Sequence, residues 1–145
     1  MGDKVICRKN NRAETICYND FVIPLTNGMV GFIEAFDLHS YNISSKNIRV
    51  DFRPEFLEDT EFLDIDLNLE YILTEDQLVK ERISNMYYSS GNLFEWGHVI
   101  TCHLAQGSQY DNILVIDEKM GNKSFQKKWL YTAITRAKEG IVLVV

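Results

Sequence analysis

Two continuous apolar runs near the C-terminal end, Ile113-Leu114-Val115-Ile116 and Ile141-Val142-Leu143-Val144-Val145, do most to limit what this chain can fold into. Runs without alternation and rich in β-branched residues suit parallel strands covered on both faces. Between them, Phe125 to Lys138 places Trp129, Leu130, Ala133 and Ile134 at helical spacing, with Met120-Gly121-Asn122-Lys123 as a loop before it and Glu139-Gly140 as its stop. Strand, helix and strand in that order predict a βαβ unit. Val99-Ile100 predicts the end of another buried strand, and the residues from Thr101 to Asp111 are, Leu104 apart, polar or small. A segment of that kind, at the edge of an α/β sheet, is where ligands dock in this architecture.

The N-terminal part has a different pattern. Lys4 to Lys9 predicts a short strand, followed by a turn at Asn10-Asn11. Phe21 to Leu25 and Met29 to Phe36 predict two arms of a hairpin around Asn27-Gly28, with Pro24 placing the first arm near an edge. Gly31 inside the second arm predicts a bulge or a close approach of another backbone. Ile48 to Phe52 and Leu63 to Leu69 alternate with period two. Several short strands at close spacing predict a small β-barrel. Thr74-Glu75-Asp76-Gln77 fits a capping box opening a helix through about Tyr87, with Leu78, Ile83 and Met86 as candidate buried positions. Ser89-Ser90-Gly91-Asn92 predicts a linker, so the expected division is 1–90 and 91–145.

A composition of 46% hydrophobic residues is enough for a core, and no apolar run approaches the roughly 18 residues that span a bilayer. Met1-Gly2-Asp3-Lys4 lacks the apolar stretch of a secretion signal, so a cytoplasmic location without membrane partners is expected. Cys7, Cys17 and Cys102 are odd in number and without a Cys-x-x-Cys pair, which supports neither a disulfide framework nor a zinc ribbon. The net charge of −6 is uneven: from Asp51 to Arg82 eleven carboxylates face three cations, leaving the rest of the chain at +2. No long Lys/Arg stripe occurs, so any grip on nucleic acid would rest on a few contacts.

Several residues carry usable chemistry. Arg136 has the forked, permanently charged group that suits phosphate recognition; a solvated helix face with an ion pair to Glu139 is the simpler account from composition. His103 could act as a base, a ligand or a hydrogen-bond donor, and a structural histidine is again the simpler account. Cys102 and His103 are neighbours, and neighbours in a strand face opposite ways, which disfavours a nucleophile and base pair. Gln106-Gly107-Ser108 could turn backbone N–H groups toward an anion. The 145 residues contain no Gly-x-x-x-x-Gly-Lys-Ser/Thr phosphate loop, no Gly-x-Ser-x-Gly elbow and no metal-ligand spacing.

Taken together, Thr101-Cys102-His103-Leu104-Ala105-Gln106-Gly107-Ser108 and Trp129-Leu130-Tyr131-Thr132-Ala133-Ile134-Thr135-Arg136-Ala137-Lys138 resemble motifs V and VI of superfamily 1 DNA helicases, most of all the RecD-like, 5′-to-3′ branch and its phage members, the branch of the exonuclease V alpha subunit. The resemblance covers about residues 94 to 145. The preceding region, with Gly2-Asp3-Lys4-Val5 and Asn27-Gly28-Met29-Val30-Gly31, resembles the SH3-like domain that this branch inserts into its second RecA-like domain. The implied fold class is α/β plus β: an SH3-like β-barrel followed by a partial RecA-like βαβ unit.

The resemblance also implies roles. Thr101, His103 and Ser108 would lie on the surface that touches single-stranded DNA. Gln106 and Thr135 would couple DNA to nucleotide. Gly107, Gln109 and Arg136 would lie at the nucleotide, with Arg136 as the catalytic arginine finger on the γ-phosphate. Gln109 stands where many relatives carry a glutamate that contacts the ribose; an amide can still bond a hydroxyl. The implied cofactors are ATP and Mg²⁺, with the Mg²⁺ ligands and the phosphate loop on an N-terminal RecA-like domain, and no resident metal here. The rival implication is a stand-alone nucleic-acid-binding or regulatory module without ATPase activity.

Overall fold

The computed structural model describes residues 2–86, 91–117 and 121–144. The expected helix end at Tyr87, Ser89-Ser90 of the expected linker, Met120 of the expected loop and Val145 of the last strand lie outside the described residues. Two compact units divide between His98 and Val99. No described helix is long and apolar enough to cross a membrane.

The first unit is strand-rich. Its strands are β1 (Asp3–Cys7), β2 (Asn11–Tyr18), β3 (Phe21–Leu25), β4 (Val30–Asn42), β5 (Asn47–Pro54), β6 (Phe62–Asn68) and β7 (Phe94–Trp96), with two short helices, α1 (Leu69–Leu73) and α2 (Gln77–Asn85), between β6 and β7. Five strands form one antiparallel sheet in the order β6-β5-β4-β1-β7, and β2 pairs with β3 alone. Period-two alternation does the sorting: Ile48, Val50 and Phe52 of β5 are buried while Arg49 is exposed. Phe52, Phe62 and Phe94 are almost fully buried, and the Phe52 and Phe94 ring centroids lie 4.9 Å apart.

The hairpin expected around Asn27-Gly28 is not the one formed. β3 pairs with β2 through Asn19-Asp20, both at positive φ (48° and 67°), the backbone that tight two-residue hairpins need. Thr26 to Met29 instead turns the chain so that β4 pairs with β1, with the Met29 N–H donating to the Thr26 carbonyl at 3.1 Å. Gly31 is a close approach: a Cβ there would collide with the Arg53 carbonyl oxygen and the Phe52 ring.

β6 departs from clean alternation. Val50 faces Ile65 but Phe52 faces Phe62, so Leu63 and Asp64 are left opposite Asp51 as a bulge with Asp64 at φ 56°. Phe62 and Ile65 therefore both turn inward, and Leu63 is 65% exposed. The expected capping box also shifts. Thr74 ends α1, and α2 is capped two residues later by Asp76, whose carboxylate accepts from the Leu78 N–H at 2.9 Å. Ile83 is buried as expected, whereas Leu78 and Met86 are exposed.

No closed barrel is found among the described residues, which corrects the expected barrel. β2 joins β3 rather than extending the main sheet, and β7 is three residues long. The two sheet ends meet at a single bridge, Leu67 to Asn92. Asn92 stitches them: its N–H donates to the Asp66 carbonyl at 2.6 Å, its carbonyl accepts from the Asn68 N–H at 3.0 Å, and its side-chain amide donates to the Asp66 carbonyl at 2.9 Å. Asn11 of β2 donates to the Asn92 side-chain oxygen at 2.8 Å. Buried Asn68 and Asn47 continue the network at 3.3 Å. Because β7 pairs with β1, the first unit runs past Gly91 to His98.

The second unit consists of β8 (Tyr110–Ile116), α3 (Lys123–Ile134) and β9 (Ala137–Val144), with β8 and β9 parallel. This is the βαβ order expected. The expected covering is not found: Leu114, Ile116, Val142 and Val144 are exposed, since two strands and one helix cannot cover both faces of a sheet. Val99 is 85% exposed and belongs to no strand, so the buried strand expected to end at Val99-Ile100 is not formed; the preceding strand, β7, ends at Trp96 and belongs to the first unit's antiparallel sheet.

Candidate functional site

The site begins with how α3 stops. Asn122 caps its start by accepting from the Phe125 N–H at 2.9 Å, and the helix ends at Ile134 with Thr135 as its cap, four residues before the expected end at Lys138. The sheet takes over there, because Ala137 pairs with Tyr110. Glu139-Gly140, expected to stop the helix, lie inside β9 where the register slips between Tyr110 and Asn112. Arg136 is left as the single residue between cap and strand.

That position settles what the guanidinium meets. Arg136 Nε donates to the Thr132 carbonyl at 3.2 Å, Nη1 to the Ser108 carbonyl at 3.2 Å and Nη2 to Thr135 Oγ1 at 3.1 Å. Its own carbonyl accepts from the Tyr110 N–H at 2.8 Å. A cation at the C-terminal end of α3 also meets the negative end of the helix dipole. The ion pair to Glu139 that composition suggested is replaced by these neutral acceptors. Lys138 pairs with Asp111 at 3.3 Å, on the surface.

Residues 101 to 108 form consecutive turns and no strand. The Ala105 N–H donates to the Thr101 carbonyl at 3.1 Å, Gln106 to His103 at 3.3 Å, and Ser108 to Ala105 at 3.1 Å. Ala105 is buried and anchors the turn, while Thr101, His103, Gln106 and Gly107 are exposed and Ser108 is half-buried. Gly107 sits at φ 87° with nothing within 4 Å of where a Cβ would be, so backbone conformation selects glycine here. Gln109 is exposed, bracketed by two neighbours that both bond Arg136. The structure thus joins Ser108, Thr135 and Arg136 directly, and leaves Thr101, His103, Gln106 and Gln109 as outward hydrogen-bonding groups.

Cys102 does not form a nucleophilic pair. Its thiol donates to the Trp129 carbonyl at 3.6 Å. Burial raises its pKa, with the Arg136 charge pulling partly the other way, so at neutral pH it is a thiol. Among the described residues there is no group of three or more His, Cys, Asp or Glu placed to hold a metal ion. The partners that sequence reasoning missed are backbone carbonyls, those of Ser108, Trp129 and Thr132, and a carbonyl has no residue-type signature.

Compared with known proteins, residues 97–144 match the family model of the UvrD-like helicase C-terminal domain. This spans the turn, α3 and both parallel strands, and it supports a helicase C-terminal region. An uncharacterized protein of Methanocaldococcus jannaschii is 41% identical over 58 residues, which is 40% of this chain and 5% of that protein. The shared stretch is thus a small part of the relative's length.

Proposed function

We propose that this chain is the C-terminal portion of a RecD-like, ATP-dependent DNA helicase that couples ATP hydrolysis to translocation on single-stranded DNA. The observation that carries this is the direct bond between the two helicase-like segments, Arg136 to Ser108, inside the region that matches the helicase C-terminal domain. In this reading the first unit is the SH3-like insertion. It enters that reading as an open antiparallel sheet whose ends touch at Asn92, not as a closed barrel.

The residues present fit one side of a nucleotide. Arg136 offers a fork for phosphate oxygens, and the exposed Gln109 amide offers bonds to a ribose hydroxyl. When bound, ATP supplies the cleavable γ-phosphate, and the phosphate loop and Mg²⁺ ligands belong to another RecA-like domain. Arg136 neutralises charge that develops on the phosphoryl oxygens. Thr101, His103 and Ser108 grip the DNA strand, while Gln106 and Thr135 connect the grip to the nucleotide side.

The test uses a polypeptide carrying both RecA-like domains. Arg136→Ala is expected to lower DNA-stimulated ATP hydrolysis by about 10³-fold or more, the scale of an arginine finger, with oligonucleotide binding still measurable. Undiminished hydrolysis overturns the finger assignment. The three internal bonds of Arg136 favour one rival, a binding module in which this arginine is structural; it predicts lost stability in Arg136→Ala and no ATPase at all.

A further inference from the structure

We propose that the Arg136 guanidinium is a latch: it holds the Ser108 carbonyl, and through it the 101–108 turn, and exchange of that carbonyl for phosphate oxygens frees the turn. The fixing is two-sided. The Arg136 side chain takes the Ser108 carbonyl while its backbone carbonyl takes the Tyr110 N–H, so one residue clamps the chain on both sides of Gln109. Ser108 is also the last link of the turn, since its N–H donates to Ala105, the turn's buried anchor. Besides this clamp the turn is held by buried Ala105, by the Cys102 thiol on the Trp129 carbonyl at 3.6 Å and by its own bonds of 3.1 to 3.4 Å, all of them on the N-terminal side of Gly107 or within the turn, so among the described residues Arg136 alone fixes its C-terminal end at Ser108 from outside.

The latch can be opened by chemistry already in place. Its three acceptors are neutral, two carbonyls and a hydroxyl, whereas phosphate offers charged oxygens that a guanidinium prefers and can take two at a time. Arg136 is half-buried, so solvent and solutes reach it. Turning toward phosphate costs the Ser108 bond, and the exposed Thr101, His103 and Gln106 then lose their fixed spacing. The link from nucleotide to DNA surface is thus a swap of hydrogen-bond acceptors by one side chain. The phosphate in this inference rests on the helicase reading; the clamp on the turn does not.

Hydrogen exchange on the 145-residue chain tests the two parts separately. In Arg136→Ala the amides of Ala105, Gln106 and Ser108 are expected to exchange roughly tenfold faster, with β8 and β9 of the same unit unchanged as a control for folding. Arg136→Lys, which keeps the charge but not the fork, is expected to recover only part of that protection. In the wild type, inorganic phosphate should speed the same amides relative to chloride at equal ionic strength, and should have no effect in Arg136→Ala. Unchanged turn exchange in Arg136→Ala, or a turn that ignores phosphate in the wild type, overturns the latch. Oligo(dT) added to the wild type reads the function: protection at 101–108 supports the helicase reading, and its absence removes that reading while leaving the clamp standing.

Discussion

The two units differ in how they bury the same kinds of residue. In the first, Val5, Phe52 and Phe94 are 0% exposed and packed in one cluster drawn from separate strands. In the second, the buried apolar residues among those described are Ala105, Val115 and Ala133, and the branched residues of β8 and β9 face outward along much of their length. Apolar content is therefore no guide to self-sufficiency. What matters is whether the topology supplies a second layer, and five antiparallel strands curling over their own face do so where two parallel strands and one helix do not. The unit with the stronger core carries the acidic stretch, and the loosely packed one carries the candidate chemistry, as expected where working segments come from the less stable end of a fold.

The largest effect that could break this contrast is in the first core. Phe52→Ala is expected to cost about 3–5 kcal/mol, because the ring packs on Phe62 and Phe94 and the cavity cannot collapse between three strands. Urea unfolding followed by exchange at β4 and β5 measures it; a loss below about 1 kcal/mol would put the first unit on the same footing as the second.

Cys7 gives the next largest effect, and it depends on pH. Burial pushes its thiol from 9.0 up to about 11, with a Lys9 backbone hydrogen bond and the Arg8 charge pulling back. The folded pKa lies above the unfolded one, so the stabilising contribution is complete below about pH 9 and is lost as pH rises through about 11, on the order of 2–3 kcal/mol in all. Urea midpoints at pH 8 and pH 10.5 should therefore diverge for the wild type and converge for Cys7→Ala. At pH 8, labelling should reach exposed Cys17 first and Cys7 last.

Legibility in the sequence followed the same divide. Strands with one buried face, such as β5, were plain from alternation, and β8 and β9 were plain as apolar runs. β2 was missed because only Ile16 of its eight residues is buried, so no period shows. The hairpin was misplaced because Asn19-Asp20 and Asn27-Gly28 both suit tight turns, and the choice between them is made by a pairing of β1 with β4 that is distant in sequence. At the site, Arg136 stood out by type, yet its partners did not. The helix stops early because Ala137 is claimed by the sheet, and only that places the guanidinium on carbonyls 4 and 28 residues away.

The Asn92 stitch tests whether the first unit owes its independence to the core alone. Asn92 is 3% exposed, and its side chain both donates to Asp66 and accepts from Asn11. Asn92→Ala leaves the half-buried Asn11 amide without its acceptor and the Asp66 carbonyl with only the Asn92 backbone N–H, an expected loss of about 1–2 kcal/mol. Asn92→Asp separates the two roles, since it keeps the acceptor for Asn11 and loses the donor to Asp66. If neither variant shifts the urea midpoint, the sheet ends are held by packing and the single bridge is incidental.

The smallest expected effect sharpens the contrast most. Leu114 lies in the middle of β8 and is 63% exposed, so Leu114→Ala should change the stability of the second unit by no more than about 0.5 kcal/mol, read by exchange at β8 and β9. The same truncation at buried Ile65 in the first unit should cost several times that. A loss at Leu114 comparable to the one at Ile65 would mean that its side chain is covered in solution, and protein concentration then tells what covers it. A loss that grows with concentration identifies a second copy lying on the β8–β9 face, whereas a loss independent of concentration places the cover within the same chain. Either result would make the poor burial of the second unit a property of its surroundings rather than of its sequence, because the β-branched residues of β8 and β9 already have the composition of a covered sheet.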